Sequence, residues 1–363
     1  MSPAGPGGGV TLCVVNYNGA ESLPDTLAAA TASSDAFVEI LLVDNASTDD
    51  SVEMVRSRFP GVRIHATGRN GGPGAARNAG LRQASTARVL FVDNDVVLAP
   101  ACAGHLGRAL DERADAAVAM PRVLYADDPG TIQFSGAGCH YLGLMTLHEA
   151  DVSLADTTPG DGSSPASDVD SVVTACFLFD RARWPLPDPF DEALFMHYED
   201  HDFGVRARLA GHALLSVPGA LCYHGAGTPG LALRTTGVFQ PLRVYGTICN
   251  RWQVLAKSYA GRTIVLLAPM LLTYEVVQLV AVVRKGWTGE WLRAVGWMVG
   301  HSGDLAARRR RVQRSRRVPD REILRGGRLP FTRRLAQGRL ERGVEALLNR
   351  MAAAYWKRVR GWL

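Results

Sequence analysis

The chain has 363 residues, 47% of them hydrophobic and 21% charged, which excludes a disordered polymer and leaves room for one large domain or two. The net charge of +5 is unevenly spread: residues 284–363 hold 21 Lys and Arg against 6 Asp and Glu, and residues 1–283 hold 19 against 29. An acidic body with a basic tail points to a polyanionic partner for the tail, either anionic lipid or nucleic acid.

In chain order, residues 1–9 lack the basic and apolar segments of a signal peptide and are expected to be a flexible tail. Strands are predicted at 10–15, 38–43, 62–66 and 88–92, with helices between them at 21–33, 49–59 and 74–84. Two of the strands are continuous apolar runs, as parallel strands buried on both faces require. The segment Asp44–Asp49 offers N-caps for the second helix. This alternation predicts an α/β fold with a doubly wound, mostly parallel sheet and ligands at the carboxyl ends of the strands, where Asp44 and Asp93 fall. Asp151–Asp170, rich in Asp, Ser, Thr, Pro and Gly, reads as a mobile loop. A strand at Val172–Phe179, a helix at Asp200–Ala210 and a strand at 213–217 follow, the last leading into Tyr223 and His224. The six cysteines (13, 102, 139, 176, 222, 249) have no metal-like spacing and read as buried thiols of a reducing compartment.

After residue 240 the character changes. Residues 264–283 approach the ~20 apolar residues of a membrane span, although Glu275, Gln278 and Pro269 weigh against one. Arg284, Lys285, Trp287, Trp291, Trp297 and the run Arg308–Arg311 follow, a mixture suited to a bilayer interface. An in-plane or re-entrant segment, a span and a buried helix all remain open. The expected organisation is a tail at 1–9, an α/β domain at 10–240 and a helical, basic, membrane-associated region at 241–363.

Two acidic clusters carry the chemistry. Asp93-Asn94-Asp95 ends an apolar strand, and Glu199-Asp200-His201-Asp202 opens a helix. Carboxylates packed this closely repel one another and are costly to desolvate, so a cation or a proton-transfer task is the expected compensation. A short acid-x-acid loop offers Mg²⁺ or Mn²⁺ too few oxygens to enclose it, and substrate phosphates would complete the shell. The second cluster can then supply a general base.

Several segments reinforce this reading: Val14–Asn18, Val43–Asp49, Asn70–Gly80, Phe91–Asp95, Phe190–Glu192 and Tyr198–Arg206. In this order and spacing they make residues 10–230 resemble a family 2 glycosyltransferase of the GT-A fold, in the branch that includes bacterial rhamnosyltransferases. The resemblance implies that Tyr17 and Asp44, flanked by Asn16 and Asn18, hold the nucleotide base, by stacking and by accepting a ring N–H. Asn70–Gly80 would bring its backbone close to the nucleotide, with Asn70, Arg77 and Asn78 lining the donor pocket. Arg77 stands where a dinucleotide-binding loop would have its third glycine, and the loop follows the third strand, which disfavours that fold. Asp93 would contact the ribose or reach the metal through water, Asn94 would sit between the two acids, and Asp95 and His224 would hold the metal. Asp200 would be the base of an inverting transfer, with Glu199 positioning the acceptor. Asp202 and Arg206 are spaced for an i,i+4 ion pair.

The resemblance implies a nucleoside-diphosphate sugar as donor, dTDP-rhamnose before a UDP-hexose or UDP-galactofuranose. Cys176, in the stretch Thr174-Ala175-Cys176, departs from the small-residue pattern expected near the donor sugar. The expected acceptor is a lipid-linked or cell-envelope glycan, at the cytoplasmic face of the cell membrane, with no nucleic acid. Two other readings stand beside this one. Nucleotidyl transfer would typically place a basic residue in the turn after the first strand, which here is Asn16-Tyr17-Asn18-Gly19. A non-catalytic nucleotide-binding protein docked on membrane would have no need of both Asp95 and Asp200.

Overall fold

The computed structural model describes residues 9–33, 36–157, 164–186, 188–225, 240–330 and 338–363. Nearly all of the expected tail (residues 1–8) and part of the expected loop (158–163) lie outside the described residues.

The first half follows the predicted alternation. Strand β1 (Val10–Asn16), helix α1 (Leu23–Ala32), β2 (Phe37–Asp44), α2 (Ser51–Arg58), β3 (Arg63–Ala66), α3 (Gly72–Gln83) and β4 (Arg88–Asp93) succeed one another. β1 lies between β2 and β4, and β3 follows β2, all parallel. Leu12, Cys13 and Val14 on β1 and Leu41, Leu42 and Val43 on β2 are fully buried. Each large aliphatic side chain among them contributes about 1.5–3 kcal/mol. Parallel strands covered on both faces have no polar side, which is why these segments read as unbroken apolar runs.

Beyond β4 the sheet becomes mixed. After β5 (Val96–Leu98), α4 (Cys102–Glu112), β6 (Ala116–Tyr125) and β7 (Thr131–Phe134) come the short strands β8 (Ala137–His140), β9 (Leu144–Leu147), β10 (Val152–Ser153) and β11 (Ser167–Asp168). Strand β12 (Cys176–Asp180) pairs antiparallel with both β4 and β6. It begins four residues later than predicted; Val172 is buried, but only Ser171 beside it makes an isolated bridge, to Ala137. Helix α5 (Glu199–Leu209) leads to β13 (Ala213–His224), which runs on to His224 rather than ending at 217. β13 pairs parallel with β6 and antiparallel with β5, so His224 lies opposite Val96, one residue from Asp95.

Among the described residues five helices make up most of the remainder: α6 (Pro241–Ser258), α7 (Gly261–Arg284), α8 (Thr288–Gly300), α9 (Ser302–Ser315) and α10 (Arg339–Val359), with the two-residue strand β14 (Leu324–Arg325) beside β8. They share a second apolar core with the α/β half: Cys139, Tyr141, Val205 and Leu209 pack with Tyr259, Leu267, Met270, Ile323, Leu348 and Ala352. Tyr141 donates its hydroxyl to Ala352 O at 2.9 Å, and Arg325 pairs with Asp170 at 2.9 Å. The six cysteines are free thiols, all buried.

Among the described residues α7 is the one helix long and apolar enough, by length and composition, to cross a membrane, and only 11% of its most apolar stretch is buried. Val265, Leu272, Val276, Val280 and Val283 are exposed. A helix buried in the core of a soluble fold is therefore not what this segment forms. Glu275, which weighed against membrane contact, faces inward: it accepts hydrogen bonds from Arg251 and, at 3.0 Å, from Trp252 Nε1.

Candidate active site

The carboxyl ends of β1, β2 and β4 meet at Asn16. This fully buried amide donates to Asp44 Oδ1 at 3.1 Å and Ser51 Oγ at 2.9 Å, and its own oxygen accepts from Asn94 Nδ2 at 3.0 Å. Asn94 and Asn16 thus act as buttresses that hold Tyr17 and Asp44 at the sheet edge. Asn18 has a left-handed backbone (φ 50°) and accepts from Thr48 N at 2.8 Å, pinning the β1 turn to the start of α2. Asp49 holds the same junction, accepting from Ala20 N at 2.8 Å and Ser51 N at 3.2 Å. Asn70 accepts from Asn45 Nδ2 at 2.9 Å and from Gly72 N at 2.9 Å. Asn45 therefore bridges the loop after β2 to the glycine-rich loop, a role that sequence reasoning had not given it.

Arg77 joins the two acidic clusters. Its side chain is buried, donates to Asp93 Oδ1 at 2.6 Å and to Thr174 O at 2.9 Å, and lies 3.9 Å from Glu199 Oε1. Asn78, one residue on, is fully buried and grips the 190–192 segment: it donates to Phe190 O at 2.9 Å and accepts from Phe190 N at 3.0 Å. Thr174 thus lies against Arg77, and Cys176 enters the sheet opposite Val92. Burial pushes the Cys176 thiol well up, which makes it a poor nucleophile.

Asp95 Oδ1 lies 3.4 Å from His224 Nε2, while His224 Nδ1 is 2.8 Å from Gln133 Oε1. A carbonyl oxygen at Nδ1 calls for the proton there, which turns the Nε2 lone pair toward Asp95. This is a donor set of one carboxylate and one imidazole. Among the described residues no group of three or more His, Cys, Asp or Glu gathers to hold a metal. The pair fits a divalent ion that takes its remaining ligands from substrate oxygens.

Glu199 and Asp200 open α5, after a turn under backbone strain. Phe195 (φ 28°), His197 (φ 67°) and Tyr198 (φ 69°) all occupy positive φ without being glycine, at a cost of ~1–3 kcal/mol each. Two neighbours confine the turn. Gly72 (φ +84°) approaches so closely that a Cβ there would sit 1.9 Å from Phe195 O. On the other side, Asn250 of α6 donates to the carbonyls of Leu194, Met196 and His197 at 2.7–3.0 Å. Below the turn, Lys257 pairs with Asp191 and, at 2.8 Å, with Asp202, which also holds Arg206 at 2.7 Å. The i,i+4 pair read from the sequence is thus part of a larger buried network.

Burial dominates the electrostatics. It raises the carboxyls of Glu199, to about 8, and of Asp200, to about 6; their neighbour Asp93 adds to the rise and Arg77 opposes it. Asp93 is raised too, first by burial, against the pull of Arg77. Arg243 of α6 lies within electrostatic reach of Asp200: burial lowers its pKa and the Asp200 carboxylate raises it. Sequence reasoning missed both Arg243 and Asn250, because they lie beyond residue 240 in a segment read for its membrane character. The polar pair Asn250-Arg251 inside an amphipathic helix was the available signal.

With this geometry in hand, comparison places the chain. The sequence pattern of the family described as Glycosyl transferase family 2 matches residues 11–153. Over 226 residues the chain is 29% identical to the N-acetylglucosaminyl-diphospho-decaprenol L-rhamnosyltransferase of Mycobacterium tuberculosis, covering 58% of this chain and 74% of that protein. It is 38% identical over 112 residues to the succinoglycan biosynthesis protein ExoO of Rhizobium meliloti, 31% of each chain. The crystal structure of GalNAc-T7 with UDP, GalNAc and Mn²⁺ matches with a TM-score of 0.54 at 14% identity, over 70% of this chain and 48% of that one, a likeness of fold alone. The chain thus spans about half the length of that structure. Residues 11–153 thus carry the family 2 glycosyltransferase pattern, the architecture is that of the GT-A fold, and the chain is similar to a rhamnosyltransferase.

Proposed function

We propose that the chain transfers a sugar, rhamnose before other hexoses, from a nucleoside diphosphate to a hydroxyl of a lipid-linked or cell-envelope glycan, with inversion at the anomeric carbon. The observation that carries this reading is the convergence of both acidic clusters on the guanidinium of Arg77, 2.6 Å from Asp93 and 3.9 Å from Glu199. Tyr17 stacks on the base and Asp44 accepts its ring N–H. Asp95 and His224 would hold Mg²⁺ or Mn²⁺, with Asp93 reaching it through water or binding the ribose; the ion's charge neutralises the departing diphosphate. Asp200 takes the proton of the acceptor hydroxyl as that oxygen bonds to the anomeric carbon. The bond from this carbon to the diphosphate oxygen breaks, and its electron pair leaves with the diphosphate. Burial raises both carboxyls, so the adjacent pair holds a proton more readily than free carboxylates do, which suits proton transfer at this place.

The relative's name supports both rhamnose as the sugar and a lipid-linked diphosphate as acceptor. The C-terminal surface supports a membrane setting, at the cytoplasmic face and in a peripheral or monotopic manner. α7 carries an exposed apolar face, and α9 bears a groove of about 460 Å³ lined by Arg310, Arg311 and Arg314. Exposed apolar side chains and a cluster of guanidinium groups suit an anionic bilayer.

A thermal-shift panel of dTDP-rhamnose, UDP-glucose and UDP-galactofuranose, each with and without Mn²⁺, tests the reading. Stabilisation by dTDP-rhamnose that grows with Mn²⁺ is expected. Absence of any shift across the panel would overturn it.

A further inference from the structure

We infer that Asn250, on the first helix beyond the α/β half, is a positioning residue for transfer: it holds the turn 194–198 in the conformation that presents Asp200. The inference rests on the proposed role of Asp200 and adds a residue outside both acidic clusters.

Asn250 is buried, and its Nδ2 lies 2.8 Å from Leu194 O, 3.0 Å from Met196 O and 2.7 Å from His197 O. Three carbonyls can face only the amide's NH₂ end, so two hydrogens are shared among three acceptors. Gln253 fixes the opposite end, donating Nε2 to Asn250 Oδ1 at 3.0 Å. Gln253 is itself held by Arg308 of α9, whose guanidinium lies 3.0 Å from Gln253 Oε1 and 3.2 Å from Asp191. Gly246, one turn before Asn250, lets α6 approach until a Cβ there would lie 2.8 Å from Met196 O.

The turn needs such a clamp. Phe195, His197 and Tyr198 hold positive φ, and Tyr198 directly precedes Glu199 and Asp200. Without donors for these carbonyls the backbone would relax toward ordinary conformations, and the start of α5 would rotate with it. Asp200 would then leave its place beside Arg77 and Glu199. A displacement of about 1 Å in a reacting group costs on the order of 10²-fold in rate.

The test uses the full chain, with membrane lipid extract as acceptor and release of nucleoside diphosphate from dTDP-rhamnose as the readout. Asn250→Asp keeps the shape but turns oxygens toward three carbonyls. Its kcat is expected to fall about 100-fold, with KM for dTDP-rhamnose within about threefold and a displaced acidic limb in the kcat–pH profile. Val254→Ala, on the same helix with a fully buried side chain, is the control for lost stability; its kcat is expected within about twofold of wild type. If Asn250→Asp does not yield folded protein, Gln253→Ala, which frees the Asn250 amide to rotate and also removes an acceptor of Arg308, is expected to lower kcat about tenfold with the same unchanged KM. Wild-type kcat in the folded variant, or a loss matched by Val254→Ala, overturns the inference. Asp200→Asn in the same assay separates the two claims. If it remains active, the proposed base is wrong; if it is inactive while the Asn250 variant is normal, only the positioning role falls.

Discussion

The two acidic clusters solve one electrostatic problem by different means. Asp93-Asn94-Asp95 sits on the short link between β4 and β5, and its middle residue is tied to β1 through Asn16 at 3.0 Å. Its geometry follows from strand register, set by apolar side chains within one continuous stretch of chain. Glu199-Asp200 opens a helix after a strained turn, and its supports come from afar: Gly72 on one side, Asn250 and Lys257 on the other. A site built this way has one wall fixed by the sheet and another that depends on the order of a distant helix.

Substitutions that strike the two walls separately will sharpen this contrast. The largest effect is expected from Asp200→Asn, with kcat lowered by about 10³-fold and calorimetric affinity for the nucleotide-sugar retained; loss of donor binding would show that Asp200 belongs to the donor wall. Next, Asp95→Ala is expected to abolish the Mn²⁺-dependent part of the thermal shift given by dTDP-rhamnose, leaving the metal-free part in place. A Mn²⁺ response equal to wild type would remove Asp95 from the metal.

A smaller effect is expected at the membrane. Cutting the chain after residue 260 would test little, because α10 and the segment around Arg325 complete the second core. Leu272→Glu with Val276→Glu instead alters the exposed face of α7, and binding to vesicles containing anionic phosphatidylglycerol is expected to fall at least about tenfold. Unchanged vesicle binding would detach this helix from the lipid.

The smallest effect concerns stability. Burial raises Glu199 from its ordinary 4.5 to about 8. Between those values the folded state binds more protons than the unfolded one, so stability falls as pH rises through this window. Glu199→Gln removes that dependence. The variant is expected to melt about 2–4 °C above wild type at pH 8.5 and to converge with it near pH 4.5, as read by differential scanning calorimetry. Parallel melting curves across this range would show that Glu199 is not perturbed.

Much of the wall at the sheet edge was legible in the sequence. Continuous apolar runs revealed β1, β2 and β4, and Asp44, Asp93 and Asp95 lie where parallel strands end. The return of His224 toward Asp95 came from family resemblance; its physical cause is the pairing of β13 with β5, which no local pattern announces. Arg77 was read as a pocket residue, yet its contacts are those of a buried cation between carboxylates, a fact that depends on residues 16 and 122 positions away. The turn before α5 was the least legible part. Positive φ at Phe195, His197 and Tyr198 contradicts local preference, and such departures appear only where surrounding structure overrides it.

The close approach of Gly72 to Phe195 has one last consequence. With no room for even a methyl group between them, the entrance of α3 and the turn before α5 must travel together. A ligand that displaced one would therefore press on the other through direct steric contact.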